Sequence, residues 1–137
     1  MQRTYFQALE NHDEKVFLAL NEVIDQLAFD EQGLMPVITQ DADSKDILMF
    51  AWMNKDALQQ TLATREVTYW SRSRQELWVK GKTSGHTQTL VSMSFDCDGD
   101  VILCKANQIG AACHTNRDNC FYLDVDIDAG KVVVQPK

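Results

Sequence analysis

The sequence predicts an α+β fold: a mostly antiparallel β-sheet with an N-terminal helix and one further helix. Two features of the chain predict it. Before Arg65, two segments carry apolar residues at helical spacing. After Arg65, the chain becomes a succession of short runs rich in β-branched and aromatic residues, separated by Gly, Asp and Asn. Helices in one part of a chain and strands in another are typical of α+β domains. The length of 137 residues is that of a single domain, which we assign to residues 1–137.

The N-terminal part, residues 1–28, is expected to be a helical extension. Between residues 13 and 29 the apolar side chains recur three and four positions apart, as they do along one face of an amphipathic helix. The positions concerned are Val16, Leu20, Val23, Ile24 and Leu27. A single amphipathic helix over residues 13–29 is therefore predicted, and we assign it no catalytic role.

Two strands and a second helix are expected next. The run "LMPVIT" predicts a short strand, and "DILMFAWM" predicts a buried strand because it has few polar positions. Asn54 is a favourable N-cap for a helix over residues 55–63, in which Ala57, Leu58 and Leu62 share the inner face. The later runs, each predicted to be a strand, are "VTYWS", "ELWVK", "TLVSMSF", "VILCKA", "CFYLDV" and "KVVVQ".

The composition argues against two classes of partner. A net charge of −7 disfavours non-specific binding to nucleic acid or to anionic membranes. No stretch has the roughly 20 apolar residues that are needed to cross a bilayer. The N-terminus is too rich in charge for a signal peptide. We therefore expect a cytoplasmic protein, in which cysteines stay reduced and closely spaced cysteines indicate metal binding or catalysis.

One segment, residues 71–82, departs from the acidic balance of the chain. Its charged side chains are four basic and one acidic: Arg72, Arg74, Lys80, Lys82 and Glu76. If the segment forms two strands, each basic pair lies on one strand face, and the arginines offer forked donors that suit phosphate oxygens. The pattern indicates a site for an anionic small molecule, and the alternative is a solvated strand face.

The cysteines lie close together in the second half of the chain. Cys113 and Cys120 are seven positions apart, and Cys97 lies sixteen positions before Cys113, which is not the spacing of a structural zinc finger. Three thiolates leave the fourth place of a tetrahedral zinc open, either for water, as in a catalytic site, or for His114. Cys104 lies in an apolar strand and is expected to be a core residue. The alternative is that all four are unrelated buried thiols.

The run "DCDGD" holds three aspartates, Asp96, Asp98 and Asp100, around Cys97. Clustered carboxylates repel each other unless a cation neutralises them, and oxygen ligands suit Mg²⁺ or Ca²⁺ better than zinc. If the run is extended, the aspartates point to one side and Cys97 to the other, so a partner chain has to supply the missing groups. The extended run thus predicts a dimer. The alternative to a cation site is that the run is simply an Asp/Gly-rich hairpin turn.

Several long motifs coincide with one known family. The runs "WSRSRQELWVKGKTSGHTQ", "DCDGD" and "ACHTNRDNCFY" closely resemble phosphoribosyl-AMP cyclohydrolases, as do "GLMPVITQD" and "LMFAWMNKDAL". The resemblance covers residues 29–124 and implies an intertwined homodimer that binds zinc and magnesium. The ligands it implies are Cys97, Cys113 and Cys120 for zinc, with Cys97 from the other subunit, and Asp96, Asp98 and Asp100 for Mg²⁺. The monofunctional form is expected, without the pyrophosphohydrolase domain often fused to this family.

The resemblance implies a hydrolase of histidine biosynthesis that opens the adenine ring of phosphoribosyl-AMP at its N1–C6 bond, giving an aminoimidazole carboxamide intermediate. Zinc-activated water would attack C6, with His114 as the first candidate for proton transfer and His86 as the second. The residues that we assign to the two phosphates of the substrate are Arg72, Arg74, Lys80, Lys82 and Ser84. Trp78 is a candidate for stacking on the base, and a role in the core is its alternative.

Two other functions compete with this one. A zinc-binding module that binds RNA without catalysis is disfavoured by the net charge, by too few cysteines for a closed site, and by the unexplained aspartates. A zinc nucleoside deaminase is disfavoured because its H-x-E…P-C-x-x-C signature is absent. We therefore expect a small substrate with two phosphates, and no nucleic acid or membrane partner.

Overall fold

The architecture is that of an α+β protein, as predicted. The computed structural model of the chain describes residues 4–137, and within this range it has three helices and eight strands. In chain order these are α1 Thr4–Gln7, α2 Leu20–Gln26, β1 Met35–Asp41, β2 Ile47–Met53, α3 Lys55–Thr64, β3 Thr68–Ser71, β4 Glu76–Val79, β5 Gln88–Phe95, β6 Ile102–Gln108, β7 Leu123–Asp126 and β8 Lys131–Val134. The predicted strands are all present, and the pairing is mostly antiparallel.

Four of the strands form the main sheet, in the order β2-β1-β6-β5. β1 pairs antiparallel with β2 and β5 pairs antiparallel with β6, so two hairpins meet at the parallel pair β1–β6. Val37 of β1 lies opposite Ile102 of β6, and both are fully buried at the centre of the core. The β5–β6 hairpin places the "DCDGD" run at its turn. The β3–β4 and β7–β8 hairpins form separate two-stranded sheets.

Helix α3 follows the prediction closely because its local signals agree with its packing. The Asn54 side chain accepts a hydrogen bond of 2.8 Å from the Ala57 N–H, as an N-cap does. Ala57 and Leu58 are fully buried against the sheet. Thr61, which the apolar pattern does not include, is also fully buried and accepts a 2.9 Å hydrogen bond from the Thr68 N–H. The helix is thereby joined to the start of β3.

The prediction of one long N-terminal helix is wrong. The chain forms the four-residue α1 and the seven-residue α2, and residues 11–19 between them are not helical. Ile24 and Leu27 are buried, but the side chain of Phe17 is 91% exposed and that of Leu20 is 48% exposed. Most helical stability in proteins comes from packing of an apolar face, and the first part of the predicted face contacts too little to supply it. None of the helices in residues 4–137 is both long and apolar enough to span a membrane.

The β7–β8 hairpin is exposed along its whole length. Its apolar side chains, 47% to 86% exposed, are Leu123, Val125, Ile127, Val132, Val133 and Val134. A lone two-stranded hairpin is at best marginally stable in water, and large exposed apolar patches are typical of surfaces that bind a partner.

Candidate active site

The "DCDGD" run forms a turn, which we call the acidic turn (residues 96–100). The prediction of an extended run with Cys97 opposite the aspartates is wrong, because the chain turns here between β5 and β6. One carboxylate oxygen of Asp96, Oδ1, accepts hydrogen bonds from the Asp100 N–H at 2.9 Å and the Val101 N–H at 3.1 Å. The turn needs a left-handed residue, and Gly99 supplies it with φ +68°. The turn gathers the side chains of Asp96, Cys97 and Asp98, whose potential ligand atoms lie within 4.8 Å of one another.

The neighbouring carboxyl groups of the acidic turn shift each other's pKa. Burial would raise the pKa of Asp96, but the hydrogen bonds from Asp100, Val101 and Gly99 outweigh it, so this pKa lies below its usual value. The pKa of Asp100 is raised by burial, by its hydrogen bond to Asp96 and by the neighbouring charges of Asp96 and Asp98. A divalent cation bound at the turn would offset the repulsion between these carboxylates. The carboxylate donor set therefore fits a hard cation such as Mg²⁺.

The loop after β6 holds two further cysteines. Cys113 is buried, and the Thr115 hydroxyl donates a 3.0 Å hydrogen bond to its sulfur. A turn with hydrogen bonds from the Cys113 N–H to the Arg117 carbonyl and from the Asn116 N–H to the Cys113 carbonyl sets the shape of the loop. The Cys120 N–H donates a 2.8 Å bond to the Leu48 carbonyl and ties the loop to β2.

The thiols of Cys113 and Cys120 lie near each other, and each shifts the pKa of the other. Burial would raise the pKa of Cys113, but hydrogen bonds from Thr115 and Cys120 and the charge of Arg117 lower it below its ordinary value. Burial and the adjacent Cys113 raise the pKa of Cys120 to about 11. A thiolate beside a second thiol fits a soft divalent cation such as zinc. Within residues 4–137, Cys97 does not join these two in a cluster of three ligand atoms.

Cys104 is a core residue, as predicted. It lies on β6, is fully buried, and has a pKa raised to about 12 by burial. Such a thiol is a poor nucleophile and a poor metal ligand, because both roles need the thiolate. The four cysteines therefore are not equivalent, which argues against the alternative that all are unrelated buried thiols.

Two of the predicted site residues hold the cysteine loop in place. The Lys80 ammonium donates a 2.6 Å hydrogen bond to the Ala112 carbonyl, and burial lowers the pKa of Lys80 against the opposing effects of Cys120 and Cys113. His86 Nδ1 lies 3.1 Å from the Ala111 carbonyl oxygen, so Nδ1 carries the proton. These contacts place the Lys80 cation near the two thiols and the His86 imidazole against the start of the cysteine loop.

The predicted positions of the basic residues on strand faces are wrong. β3 and β4 are only four residues long, so Arg72 and Arg74 lie in the turn between them, and Lys80 and Lys82 lie in the turn after β4. The Arg72 guanidinium lies 4.7 Å from the ring centroid of Trp52, and these two residues line a cavity of about 610 Å³ together with Arg74 and three more aromatic residues. Arg74 also pairs with Glu76 at 3.6 Å, an exposed contact of small energy.

A second cavity, of about 460 Å³, brings most of the predicted site residues together. It is lined by Arg74, Trp78, Lys80, Lys82, Ser84, His86, Cys113 and His114, among others. We call it the catalytic cleft. The acidic turn, which includes Cys97, does not line this cavity. Trp78 is half-buried and packs on Tyr69 with 5.4 Å between the ring centroids, which supports the core alternative for this residue.

A buried hydrogen-bond network lies behind the cleft, and sequence reasoning missed it. The Tyr69 hydroxyl contacts Thr39 Oγ1 and donates to Gln88 Oε1, both at 2.6 Å. The Gln88 amide donates to Gln108 Oε1 at 2.8 Å, and the Gln108 amide donates to the carbonyl oxygens of His86 and of Ile109. The network therefore connects the sheet to the start of the cysteine loop. The only sign of this network in the sequence is the presence of glutamine within an alternating strand pattern.

Comparison with known proteins points to one family. The family model described as phosphoribosyl-AMP cyclohydrolase matches residues 49–122, more than half of the chain. A phosphoribosyl-AMP cyclohydrolase from Dinoroseobacter shibae is 59% identical over 96 residues, which are 70% of this chain and 81% of that protein. Proteins of the same name from Alcanivorax borkumensis and Hydrogenovibrio crunogenus are 49% and 46% identical, over 88% and 98% of this chain and 85% and 92% of their own.

Proposed function

The chain belongs to the phosphoribosyl-AMP cyclohydrolase family and is a hydrolase of histidine biosynthesis, and from this premise we propose that it opens the adenine ring of phosphoribosyl-AMP. The proposed reaction cleaves the N1–C6 bond with water and leaves an aminoimidazole carboxamide. The observation that carries the proposal is the catalytic cleft, which is lined by the buried Cys113, two histidines and several cations.

The thiols are the proposed zinc ligands. Cys113 and Cys120 lie side by side, and Cys97 of a second copy of the chain would be the third ligand, because the Cys97 of the same chain lies at the acidic turn. Bound zinc supplies hydroxide at neutral pH by lowering the pKa of water from 15.7 to about 7. The proposed Mg²⁺ ligands are Asp96, Asp98 and Asp100.

His114 is the proposed proton carrier. It follows the buried Cys113, is exposed, and lines the catalytic cleft. It takes a proton from the attacking water and delivers it to N1 as the N1–C6 bond breaks, so that the ring opens without a charged leaving group. His86 has its Nδ1–H engaged by the Ala111 carbonyl, which supports a positioning role for it in the cysteine loop.

The exposed polar groups of the cleft are the proposed phosphate ligands. Arg74, Lys82 and Ser84 are exposed and line it. The exposed pair of Arg74 with Glu76 contributes little energy, so an anion can compete with Glu76 for the guanidinium. Lys80 is engaged with the Ala112 carbonyl and contributes its charge from a fixed place. Arg72, over Trp52, reaches the neighbouring cavity and is assigned to the second phosphate of the substrate.

We propose that the working form is an intertwined homodimer in the cytoplasm. The exposed β7–β8 hairpin offers an apolar surface for a second copy, and the separation of Cys97 from Cys113 and Cys120 gives that copy a chemical role. The reduced thiols agree with a cytoplasmic location.

Turnover of phosphoribosyl-AMP, followed by the change in ultraviolet absorbance as the purine ring opens, tests the proposed function. We expect activity that is lost on chelation and restored by zinc together with Mg²⁺. The His114→Ala variant should lose about 10²–10⁴-fold in kcat with zinc content unchanged. Folded protein with full zinc content and no turnover would overturn the proposal.

A further inference from the structure

We propose that Phe6 is a positioning residue, whose ring holds the acidic turn in the shape that gathers its carboxylates for a divalent cation. The ring packs directly on Gly99: a Cβ atom at this glycine would lie 2.3 Å from Phe6 Cε2 and 2.4 Å from Cζ. Phe6 is only 6% exposed, and Gly99 is buried as well. The inference rests on the proposed function in one respect, namely that the acidic turn binds the cation.

Two parts of the N-terminal extension contact the acidic turn, and both contacts are at Gly99. The Ala28 N–H donates a 2.8 Å hydrogen bond to the Gly99 carbonyl, on the segment that follows α2. The ring of Phe6, on α1, covers the Cα side of Gly99. The Gly99 N–H in turn donates to the Asp96 carbonyl at 3.1 Å, so a shift of Gly99 is passed on to the carboxylates.

The contact between Phe6 and Gly99 explains why the short helix α1 forms. A four-residue helix is not stable by itself, because nucleation fixes several residues for one hydrogen bond. Burial of Phe6, with the edge of the Tyr5 ring against it at 5.2 Å, supplies the missing stability. The extension is therefore ordered where it contacts the acidic turn, and this contact indicates that its role is to hold the turn in shape.

Carboxylates that are held together repel each other. The acidic turn would therefore change shape and separate them unless packed side chains hold it in place. A ring that prevents Gly99 from moving supports the ligand cluster before the cation arrives. Residues behind metal ligands act in this way, and their loss weakens metal affinity without removing a ligand. A purely structural role for Phe6 makes a different prediction: loss of overall stability with no selective effect on the cation.

The experiment compares Phe6→Ala with Leu58→Ala, in full-length protein loaded with zinc. Leu58 is fully buried on α3, which packs against β2 and β3. Mn²⁺ serves as the probe, and its binding is followed by electron paramagnetic resonance below the melting temperature of each variant. We expect Phe6→Ala to weaken Mn²⁺ binding about tenfold and Leu58→Ala to leave it unchanged, with zinc content preserved in both. Equal weakening in both variants, or no weakening in Phe6→Ala, would overturn the inference.

A double-mutant cycle with Gly99→Ala tests the contact itself. The new methyl group meets the Phe6 ring in the parent, and only the backbone strain remains in the Phe6→Ala background. The loss of Mn²⁺ affinity from Gly99→Ala should be several-fold smaller in that background. Equal losses in the two backgrounds would show that the ring does not position the turn. Phe6→Leu, which keeps an apolar side chain without the ring, takes the place of Phe6→Ala if the latter does not fold.

Hydrogen exchange separates this inference from the proposed function. The Asp100 and Val101 N–H groups donate hydrogen bonds to Asp96 Oδ1, so their exchange reports on the shape of the turn itself. Phe6→Ala should speed their exchange more than that of β6, and Leu58→Ala should not. If the parent binds no Mn²⁺ at all, the cation site fails; if these amides exchange alike in the two variants, the role of Phe6 fails.

Discussion

Replacing Gln88 with Leu breaks the buried network behind the catalytic cleft at its centre. Gln88 is fully buried, accepts a 2.6 Å bond from the Tyr69 hydroxyl and donates a 2.8 Å bond to Gln108 Oε1. Leucine removes both bonds, although the Tyr69 hydroxyl keeps its contact with Thr39 Oγ1. An unsatisfied buried group costs about 1–3 kcal/mol, and because Gln108 is only half-buried and Tyr69 keeps one partner, we expect a total loss of about 1–3 kcal/mol in the free energy of unfolding. The kcat should fall as well, since Gln108 holds the His86 and Ile109 carbonyls.

Urea unfolding of metal-free protein at one fixed protein concentration measures this loss. Thr89→Ala is the matched control, because Thr89 is the next residue on β5 and is exposed, so it should change the free energy of unfolding by less than about 0.5 kcal/mol. If Gln88→Leu matches the control, the network contributes no net stability and the reasoning is refuted. A loss of stability with unchanged kcat would show that the network does not position the cysteine loop.

Three further predictions follow from the geometry. Thr115→Val removes the hydrogen bond to the Cys113 sulfur, so the thiolate fraction falls and iodoacetamide should alkylate Cys113 in metal-free protein several-fold more slowly at pH 7; unchanged alkylation would contradict this. Lys80→Met leaves the Ala112 carbonyl without its donor and should lower kcat about tenfold or more while the protein stays folded, and a parent-like kcat would exclude a role for this bond. The pKa of Asp41 is lowered by hydrogen bonds from the Ser44 and Asp43 N–H groups, so its contribution to stability is present above its unfolded pKa of 3.8 and is lost as pH falls through the lower folded value. Asp41→Ala should therefore flatten the fall of unfolding free energy below pH 3.8, and an unchanged slope would contradict the prediction.

The fold was predictable where local signals and burial agree. Asn54 caps α3, and the alternating strands of the main sheet bury the side chains that their patterns indicate. The N-terminal helix was not predictable in its extent, because spacing alone does not show which surface covers Leu20 or Phe17, and both remain exposed. Packing contacts, which are tertiary, decided between one long helix and two short ones.

The candidate site was predictable in its residue types and less so in its geometry. The motifs indicated Cys113, the two histidines and the cations that meet in the catalytic cleft. The acidic turn was misjudged because Gly99 permits both an extended and a left-handed backbone, and only the pairing of β5 with β6 decides between them. The bond from Lys80 to Ala112 joins residues far apart in sequence, so no local pattern contains it.

Mixing two inactive variants, Cys97→Ser and Cys113→Ser, tests most directly the claim that two copies of the chain build one active site. Each variant alone should be inactive, since each lacks one proposed zinc ligand in every site. After unfolding and refolding of the mixture, random pairing gives about half mixed dimers, each with one intact site of two, so about one quarter of the parent activity should return. The zinc content of the refolded mixture should recover in parallel with the activity. If no activity returns although mixed dimers form, the site does not combine Cys97 of one copy with Cys113 of the other, and the account is contradicted.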